Sequence, residues 1–195
     1  VEEFEKKIAT YAECKFSVAT ANATSGLYLS LVVAGVRPGD YVIVPDWTFS
    51  ATANAVLMAG AIPYFVDIDK RTWNIDVNLV EQVLSKEGEK IAAVIAVHAL
   101  GHPADMHELR ETCDKFNVLV IEDAAAAIGS KYYGKSVGQF GDLGVFSFNG
   151  NKTLTAGAGG MIVTNSGKWA ALAKKISSQG KMGDKYNYDT VGFNF

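Results

Sequence analysis

The chain has 195 residues, of which 49% are hydrophobic and 20% are charged, and its formal net charge is −3. That composition is sufficient for one sizeable hydrophobic core, and the absence of a basic run argues against nucleic acid as a partner. No stretch has the roughly 18 apolar residues that a spanning helix needs, and the first residues lack a signal-peptide pattern. We therefore predict a soluble, cytoplasmic protein that does not bind membranes.

Hydrophobic periodicity predicts that helices and strands alternate along the chain. Helices are predicted at residues 1–13, 26–34, 50–59, 77–84, 105–116 and 168–177. Strands are predicted at residues 16–21, 41–45, 62–68, 91–97, 118–123, 143–148 and 161–164, with a turn between short extended pieces at 131–135. Because the strands are continuous apolar runs separated by helices, we predict one α/β domain with three α/β/α layers and a mostly parallel central sheet.

The cysteines and histidines do not form a metal-binding pattern. Cys14 and Cys113 lie far apart in the chain, which predicts free thiols rather than a disulfide. His98, His102 and His107 are close in sequence but lack the spacing of a zinc site. We therefore predict no metal.

Polar residues follow several predicted strands, at the sheet edge where α/β proteins bind ligands. The segment 22–26 opens a helix with hydroxyl groups and suits a phosphate, although a Thr-Ser pair before a helix is most often only a cap. Asp123 ends one strand, and Lys152 follows another within a glycine-rich segment. An imine-forming lysine, a carboxylate for a ring nitrogen and small residues around a phosphate are what pyridoxal phosphate (PLP) requires of a protein.

The chain resembles the DegT/DnrJ/StrS family, whose members are largely PLP-dependent nucleotide-sugar aminotransferases. The resemblance runs through nearly the whole chain with the motifs in family order. The matching segments are 22–27, 38–54, 65–69, 74–76, 121–125, 141–144 and 147–160. The family implies the PLP-dependent transferase fold for residues 1–195.

The resemblance implies two catalytic residues. Lys152 matches the lysine that binds PLP covalently and later transfers a proton. Asp123 matches the carboxylate that pairs with the pyridinium nitrogen and keeps it protonated. In isolation, Lys152 could be a solvated surface lysine and Asp123 a helix N-cap, but neither alternative explains the matching motifs around them.

Further residues match contacts to the cofactor. Thr24, Ser25 and Ser147 match phosphate contacts, and Phe49 matches the aromatic residue that stacks on the ring. Phe49 is also compatible with simple core packing. Trp47 is expected to point away from Phe49 if the segment is extended.

The remaining candidates depend more heavily on the family. Asn149 is a candidate pocket residue at a position where relatives often carry histidine. His98 either faces the sugar or is a hydrogen-bonded structural histidine. Asn194 matches an asparagine that relatives offer to the phosphate bound by the neighbouring subunit, which implies a homodimer with a shared active site.

The chain departs from the family in two places. Ala126 stands where relatives commonly have a hydrogen-bonding side chain near the cofactor's phenolic oxygen. The chain also stops within the motif 192–195, whereas relatives continue into a smaller domain, so we expect residues 1–195 to be the PLP-binding large domain of a longer protein.

The implied function is transfer of an amino group from glutamate to a nucleotide-linked keto sugar, with a 4-keto sugar favoured, in amino-sugar or surface polysaccharide biosynthesis. A family branch that dehydrates sugars has histidine in place of Lys152 and does not fit. The alternative is a non-catalytic, PLP-binding or regulatory member of the same fold, which Ala126 favours. A nucleotide-binding α/β domain using 22–26 is a weaker interpretation, because it leaves Lys152 unexplained.

Overall fold

The computed structural model describes residues 1–181 and 186–195. The helices are α1 (Glu2–Tyr11), α2 (Ala23–Ala34), α3 (Ala51–Met58), α4 (Val77–Glu87), α5 (Met106–Lys115) and α6 (Gly167–Ser177). The strands are β1 (Phe16–Thr20), β2 (Tyr41–Pro45), β3 (Ile62–Val66), β4 (Ile91–Val97), β5 (Leu119–Asp123), β6 (Lys131–Tyr132), β7 (Lys135–Ser136), β8 (Leu143–Ser147) and β9 (Gly160–Thr164). Short 3₁₀ turns at Gly88–Lys90 and Ala99–Gly101 were not predicted.

Seven of the strands form one sheet, in the order β1-β9-β8-β5-β4-β2-β3. β9 is antiparallel to both of its neighbours, and the pairs β8–β5, β5–β4, β4–β2 and β2–β3 are parallel. The short strands β6 and β7 form a separate hairpin. The prediction of a mostly parallel α/β sheet is therefore confirmed.

Helices cover both faces of the sheet, which gives the three predicted layers. On one face, α2, α3 and α6 pack on residues such as Ile121, Val145 and Ile162. On the other face, α4 and α5 pack on Val94 and Val120, while α1 covers a smaller cluster near β8 and β9. Successive side chains of a strand point to opposite faces, so neighbouring residues at the end of a strand meet different surroundings.

The loop between β1 and α2 is held closely against β9. The Asn22 side chain accepts a hydrogen bond from the Ser25 N–H at 2.9 Å and thereby caps α2. A Cβ atom on Gly160 would lie 2.5 Å from the Asn22 carbonyl carbon, so glycine is required for this close approach. Because β1 and β8 both run antiparallel to β9, their carboxyl ends reach the same sheet edge as those of β4 and β5.

The predicted free thiols are confirmed: Cys14 is half-buried and Cys113 is buried, and neither forms a disulfide. Burial raises the pKa of the Cys113 thiol to about 12. Among the residues that the structure describes, no helix is long and apolar enough to cross a membrane. Over the same two ranges, His, Cys, Asp and Glu side chains form no cluster of three or more that is suited to a metal ion.

Candidate active site

A cavity of about 500 Å³ opens at the carboxyl ends of β4, β5 and β8. Six of the eight predicted site residues line it, namely Thr24, Phe49, Asp123, Ser147, Asn149 and Lys152. Ser25 and Asn194 are not among the lining residues. Residues that are far apart in sequence are therefore brought together because parallel strands end at one edge of the sheet.

Asp123 supplies a buried carboxylate to this cavity. It is the last residue of β5 and is 7% exposed. Its Oδ2 accepts a hydrogen bond from the Thr52 hydroxyl at 2.8 Å, and its Oδ1 accepts one from the Ala125 N–H at 3.1 Å. Burial raises the pKa of the Asp123 carboxyl, while these hydrogen bonds and the charge of Lys152 oppose the change. The charged form of Asp123 therefore gains from a cationic partner in the cavity.

Lys152 lies in the loop between β8 and β9 and lines the cavity with a half-buried side chain. The loop is held by its backbone: the Lys152 N–H donates to the Asn149 carbonyl at 3.0 Å, and the Ala156 N–H donates to the Phe148 carbonyl at 3.0 Å. Phe148 itself is 1% exposed and anchors the start of the loop in the core. Lys152 therefore lies in a loop without regular secondary structure, and the buried side chain of Phe148 fixes the start of that loop.

The first turn of α2 also lines the cavity. Thr24 lines the cavity beside the cap residue Asn22, and Ser147 lies at the end of β8. Free N–H groups and hydroxyls at a helix N-terminus suit an anion such as a phosphate. The Ser25 side chain is buried away from this surface, and its N–H is already bonded to Asn22.

Two exposed aromatic side chains line the cavity. Phe49 is 78% exposed while lining the cavity, so it is not a core residue. Trp47 also lines the cavity, and its ring packs edge-to-face on Trp73 with centroids 4.9 Å apart. The expectation that Trp47 points away from Phe49 was wrong, because side chains two positions apart in an extended segment point to the same side, and residues 46–48 form a bend here.

His98 has both ring nitrogens occupied. The Ala104 N–H donates to Nδ1 at 3.1 Å, so the proton of the neutral ring lies on Nε2, which donates to Glu122 Oε2 at 2.9 Å. Glu122 also accepts from the N–H groups of Gly138 at 2.7 Å and Gly141 at 2.5 Å. This geometry favours the structural role for His98, although its ring contributes to the cavity wall.

The remaining candidates occupy different places. Asn149 lines the cavity, and its side-chain amide donates to Asn151 Oδ1 at 3.2 Å. Ala126 also lines the cavity, so the expected replacement of a hydrogen-bonding side chain by alanine lies at the cavity surface. Asn194 is exposed and pairs with Ser178 through a backbone bridge. Its predicted contact concerns a neighbouring subunit and stays a prediction.

Thr52 contacts the site through Asp123, and the sequence did not reveal this contact. It is fully buried in the first turn of α3, and it donates to Asp123 across 71 positions of sequence. A threonine near a helix start is usually interpreted as a cap, and only the partner in β5 distinguishes this one.

The DegT/DnrJ/EryC1/StrS aminotransferase family matches this chain over residues 1–195. The chain belongs to that family. Its relatives include the GDP-perosamine synthases of Caulobacter vibrioides, 43% identical over 99% of the chain, and of Escherichia coli O157:H7, 41% identical over 100%. A protein of Geobacillus stearothermophilus named "Pleiotropic regulatory protein" is 42% identical over 100% of the chain. The chain covers 52%, 53% and 51% of these three proteins, so it spans about half the length of the curated relatives it matches.

Solved structures of family members have the same fold as this DegT/DnrJ/EryC1/StrS chain. A DegT DnrJ EryC1 StrS aminotransferase from Brucella abortus superimposes with a TM-score of 0.94 at 35% identity, over 99% of this chain and 53% of that one. NtdA from Bacillus subtilis, solved with bound cofactor PMP, gives a TM-score of 0.90 at 33% identity, over 99% and 43%. The expected PLP-dependent transferase fold is thereby confirmed.

Proposed function

We propose that this chain is the cofactor-binding part of a PLP-dependent aminotransferase acting on a nucleotide-linked keto sugar. The observation that carries the proposal is the convergence of Lys152, Asp123 and Phe49 on one cavity in a chain of the DegT/DnrJ/EryC1/StrS family. The names of two relatives supply the substrate class, since GDP-perosamine is a nucleotide-linked sugar.

The residues of the cavity fit PLP. Asp123 is a buried carboxylate held by two neutral donors, and it lacks a contacting cation among the residues that the structure describes. A protonated pyridine nitrogen would supply that charge. Phe49 presents an exposed ring to the same space, and the first turn of α2 with Ser147 offers donors to a phosphate.

Each side chain then has a defined task. Lys152 would bind the cofactor through Nζ and, after release, move a proton within the cavity. Asp123 would hold the proton on the ring nitrogen, Phe49 would fix the tilt of the ring, and Thr24 with Ser147 would bind the phosphate. When bound, PLP supplies an electron-accepting ring that allows an amino group to pass from a donor to a ketone.

The finer assignments extend this proposal. We assign glutamate as the amino donor, a 4-keto sugar as the acceptor, and amino-sugar or surface polysaccharide biosynthesis as the setting. Residues 1–195 would be the PLP-binding large domain, completed by a second, smaller domain. Asn194 would reach the phosphate held by a partner subunit, so that a homodimer shares two active sites. The exposed position of Asn194, outside the cavity of its own chain, is compatible with that role.

A regulatory function is the second candidate. Its support is the 42% identity to the "Pleiotropic regulatory protein" of Geobacillus stearothermophilus, together with Ala126 in the cavity wall. Such a protein would bind PLP without turning over an amino donor. The two candidates therefore differ in their response to glutamate.

The test is an absorbance titration of the full-length protein with PLP, before and after glutamate. We expect a visible band from lysine-bound PLP that glutamate converts to the amine form of the cofactor. Lys152→Ala should abolish the band, whereas Lys168→Ala, which changes an exposed lysine of α6, should leave it intact.

A band that persists in the Lys152→Ala variant would overturn the assignment of the cofactor lysine. A Lys152-dependent band that glutamate and other amino acids leave unchanged would favour the regulatory candidate. With an active protein, product formation from GDP-linked and UDP-linked 4-keto sugars then tests the acceptor.

A further inference from the structure

Two threonines extend from Asp123 in a chain of hydroxyl groups. Thr52 Oγ1 lies 2.8 Å from Asp123 Oδ2, and Thr48 Oγ1 lies 2.7 Å from Thr52 Oγ1. Thr52 is fully buried, whereas Thr48 is half-buried and lines the cavity. This hydrogen-bonded chain connects the carboxylate to the cavity wall at Thr48 through Thr52, which does not line the cavity itself.

The number of available protons determines which hydroxyl group donates in each of these hydrogen bonds. An ionised carboxylate only accepts hydrogen bonds, so the single hydroxyl proton of Thr52 must point to Asp123. The Thr52 oxygen is then free to accept the proton of Thr48. If Asp123 were protonated on Oδ2, the order would reverse, and Thr48 would donate to the Phe49 carbonyl, which lies 3.4 Å away.

The hydrogen bond from Thr52 matters because few other groups donate to the Asp123 carboxylate. The ionisable neighbours are His98 at the end of β4, Lys152 in the loop after β8 and Glu122 on the opposite face of β5. The ring nitrogens of His98 are occupied by Glu122 and Ala104, so neither donates to the Asp123 carboxylate. The donors to that carboxylate are Thr52 on Oδ2 and the Ala125 N–H on Oδ1.

We propose that Thr52, supported by Thr48, is a positioning residue that favours the ionised form of Asp123 against the effect of burial and fixes the orientation of its carboxylate towards the ring nitrogen of the cofactor. This inference rests on the proposed function, in which Asp123 faces that nitrogen. Two fixed donors, one on each oxygen, leave lone pairs on both oxygens for a ligand and limit rotation of the carboxylate.

The experiment compares two cofactors on the full-length protein. PLP has a ring nitrogen, and its analogue deaza-PLP has carbon at that position while keeping the aldehyde and the phosphate. The dissociation constant of each is measured for the wild type, Thr52→Val, Thr52→Ser and Thr48→Val. Thr52→Val keeps the shape of the side chain and removes the hydroxyl, whereas Thr52→Ser keeps the hydroxyl.

We expect Thr52→Val to raise the dissociation constant of PLP roughly 10-fold, because a hydrogen bond to a charged group is lost. Binding of deaza-PLP should stay within about twofold, since that analogue makes no bond to Asp123. Thr52→Ser should restore the preference for PLP. Thr48→Val should reduce the preference for PLP by a smaller factor. Because Thr48 is only half-buried, this variant provides the test if Thr52→Val does not fold.

Equal weakening of PLP and deaza-PLP by Thr52→Val would overturn the inference, because it would mean that Thr52 only supports the structure. So would unchanged binding of both. A wild type that forms no Lys152-dependent band with PLP would instead overturn the proposed function, and the inference with it. The two failures are distinguished by the presence of that band in the wild type.

Discussion

The end of β5 carries two adjacent carboxylates that meet different surroundings. Glu122 points to the face covered by α1, α4 and α5, where three donors at 2.5–2.9 Å bind its two oxygens. Asp123 points to the other face, into the cavity, with two donors at 2.8 and 3.1 Å. Neither residue is appreciably exposed. They differ in the number of hydrogen-bond donors that the protein provides to each carboxylate.

The comparison distinguishes a structural carboxylate, Glu122, from Asp123, which we propose as a ligand-binding carboxylate. Glu122 bonds to His98 and to two backbone N–H groups, so it ties β4, β5 and the segment 138–141 together. Asp123 keeps unused acceptor capacity in a buried place, which costs stability unless a ligand uses it. Substitutions at the two residues should therefore have opposite consequences for folding and for function.

Asp123→Asn should have the largest effect on function. We expect the rate of the half-reaction with the amino donor to fall roughly 10²–10³-fold, because the charge opposite the ring nitrogen is lost. Single-turnover absorbance measurements on the full-length protein test this. Asp67→Asn, at an exposed carboxylate after β3, is the matched control. A rate within threefold of wild type would contradict the role of Asp123.

Glu122→Gln should lower stability and leave the proposed cofactor site intact. A neutral amide cannot satisfy the three donors, so we expect the free energy of unfolding to fall by about 1.5–3 kcal/mol. Urea unfolding measures this change, with the exposed Glu108→Gln as control. If the folded variant lost PLP binding while its stability stayed unchanged, the two roles would have to be exchanged.

The pH dependence of stability should distinguish Asp123 from an ordinary carboxylate. Burial raises the pKa of Asp123 above its usual 3.8 in the folded protein, so folding favours the protonated form. Its contribution is fully present below the ordinary pKa and is lost as pH rises through the raised value. The stability of cofactor-free Asp123→Asn relative to wild type should therefore increase over that interval, by about 1.4 kcal/mol for each pH unit that separates the folded and unfolded pKa values.

Urea unfolding of both cofactor-free proteins at a series of pH values from about 4 to about 8 measures this difference. Addition of PLP should reduce it, because a pyridinium nitrogen stabilises the ionised carboxylate of the wild type. A difference that does not vary with pH would mean that Asp123 titrates normally in the folded protein.

Phe49→Leu should have the smallest effect. Loss of the aromatic face should weaken PLP binding by about 1 kcal/mol, or roughly fivefold. Stability should stay within about 0.5 kcal/mol, because the side chain is 78% exposed. Equilibrium binding and thermal unfolding measure the two quantities. A clear loss of stability with unchanged PLP binding would restore the interpretation of Phe49 as a packing residue.

Most of the fold was predictable because apolar runs and helix periods are local signals. The strands that end in Asp123 and Ser147 were placed correctly, and the parallel arrangement then predicted that their polar ends would lie together. The roles assigned to these residues came from family motifs and stay predictions.

The sequence did not reveal contacts that depend on three-dimensional placement. The bond from Thr52 to Asp123 joins a helix start to a strand end, and nothing local in the segment 50–54 indicates it. The expectation for Trp47 failed for a different reason, because side chains two positions apart in an extended segment share a face. Strand alternation predicts that Glu122 and Asp123 point to opposite faces of the sheet. Only the structure shows which of the two faces holds the cavity.

The position of β9 has a consequence for how the protein is made. In the part of the chain that the structure describes, β1 lies at the edge of the sheet and pairs only with β9. The pairing of Phe16 with Thr164 therefore requires β9 to be present. During synthesis, the loop that caps α2 emerges early but gains its support at Gly160 only after most of this chain has left the ribosome. Such long-range pairing slows folding. We therefore expect the first turn of α2 and the loop that carries Lys152 to gain their full support at the same late stage, when β9 pairs.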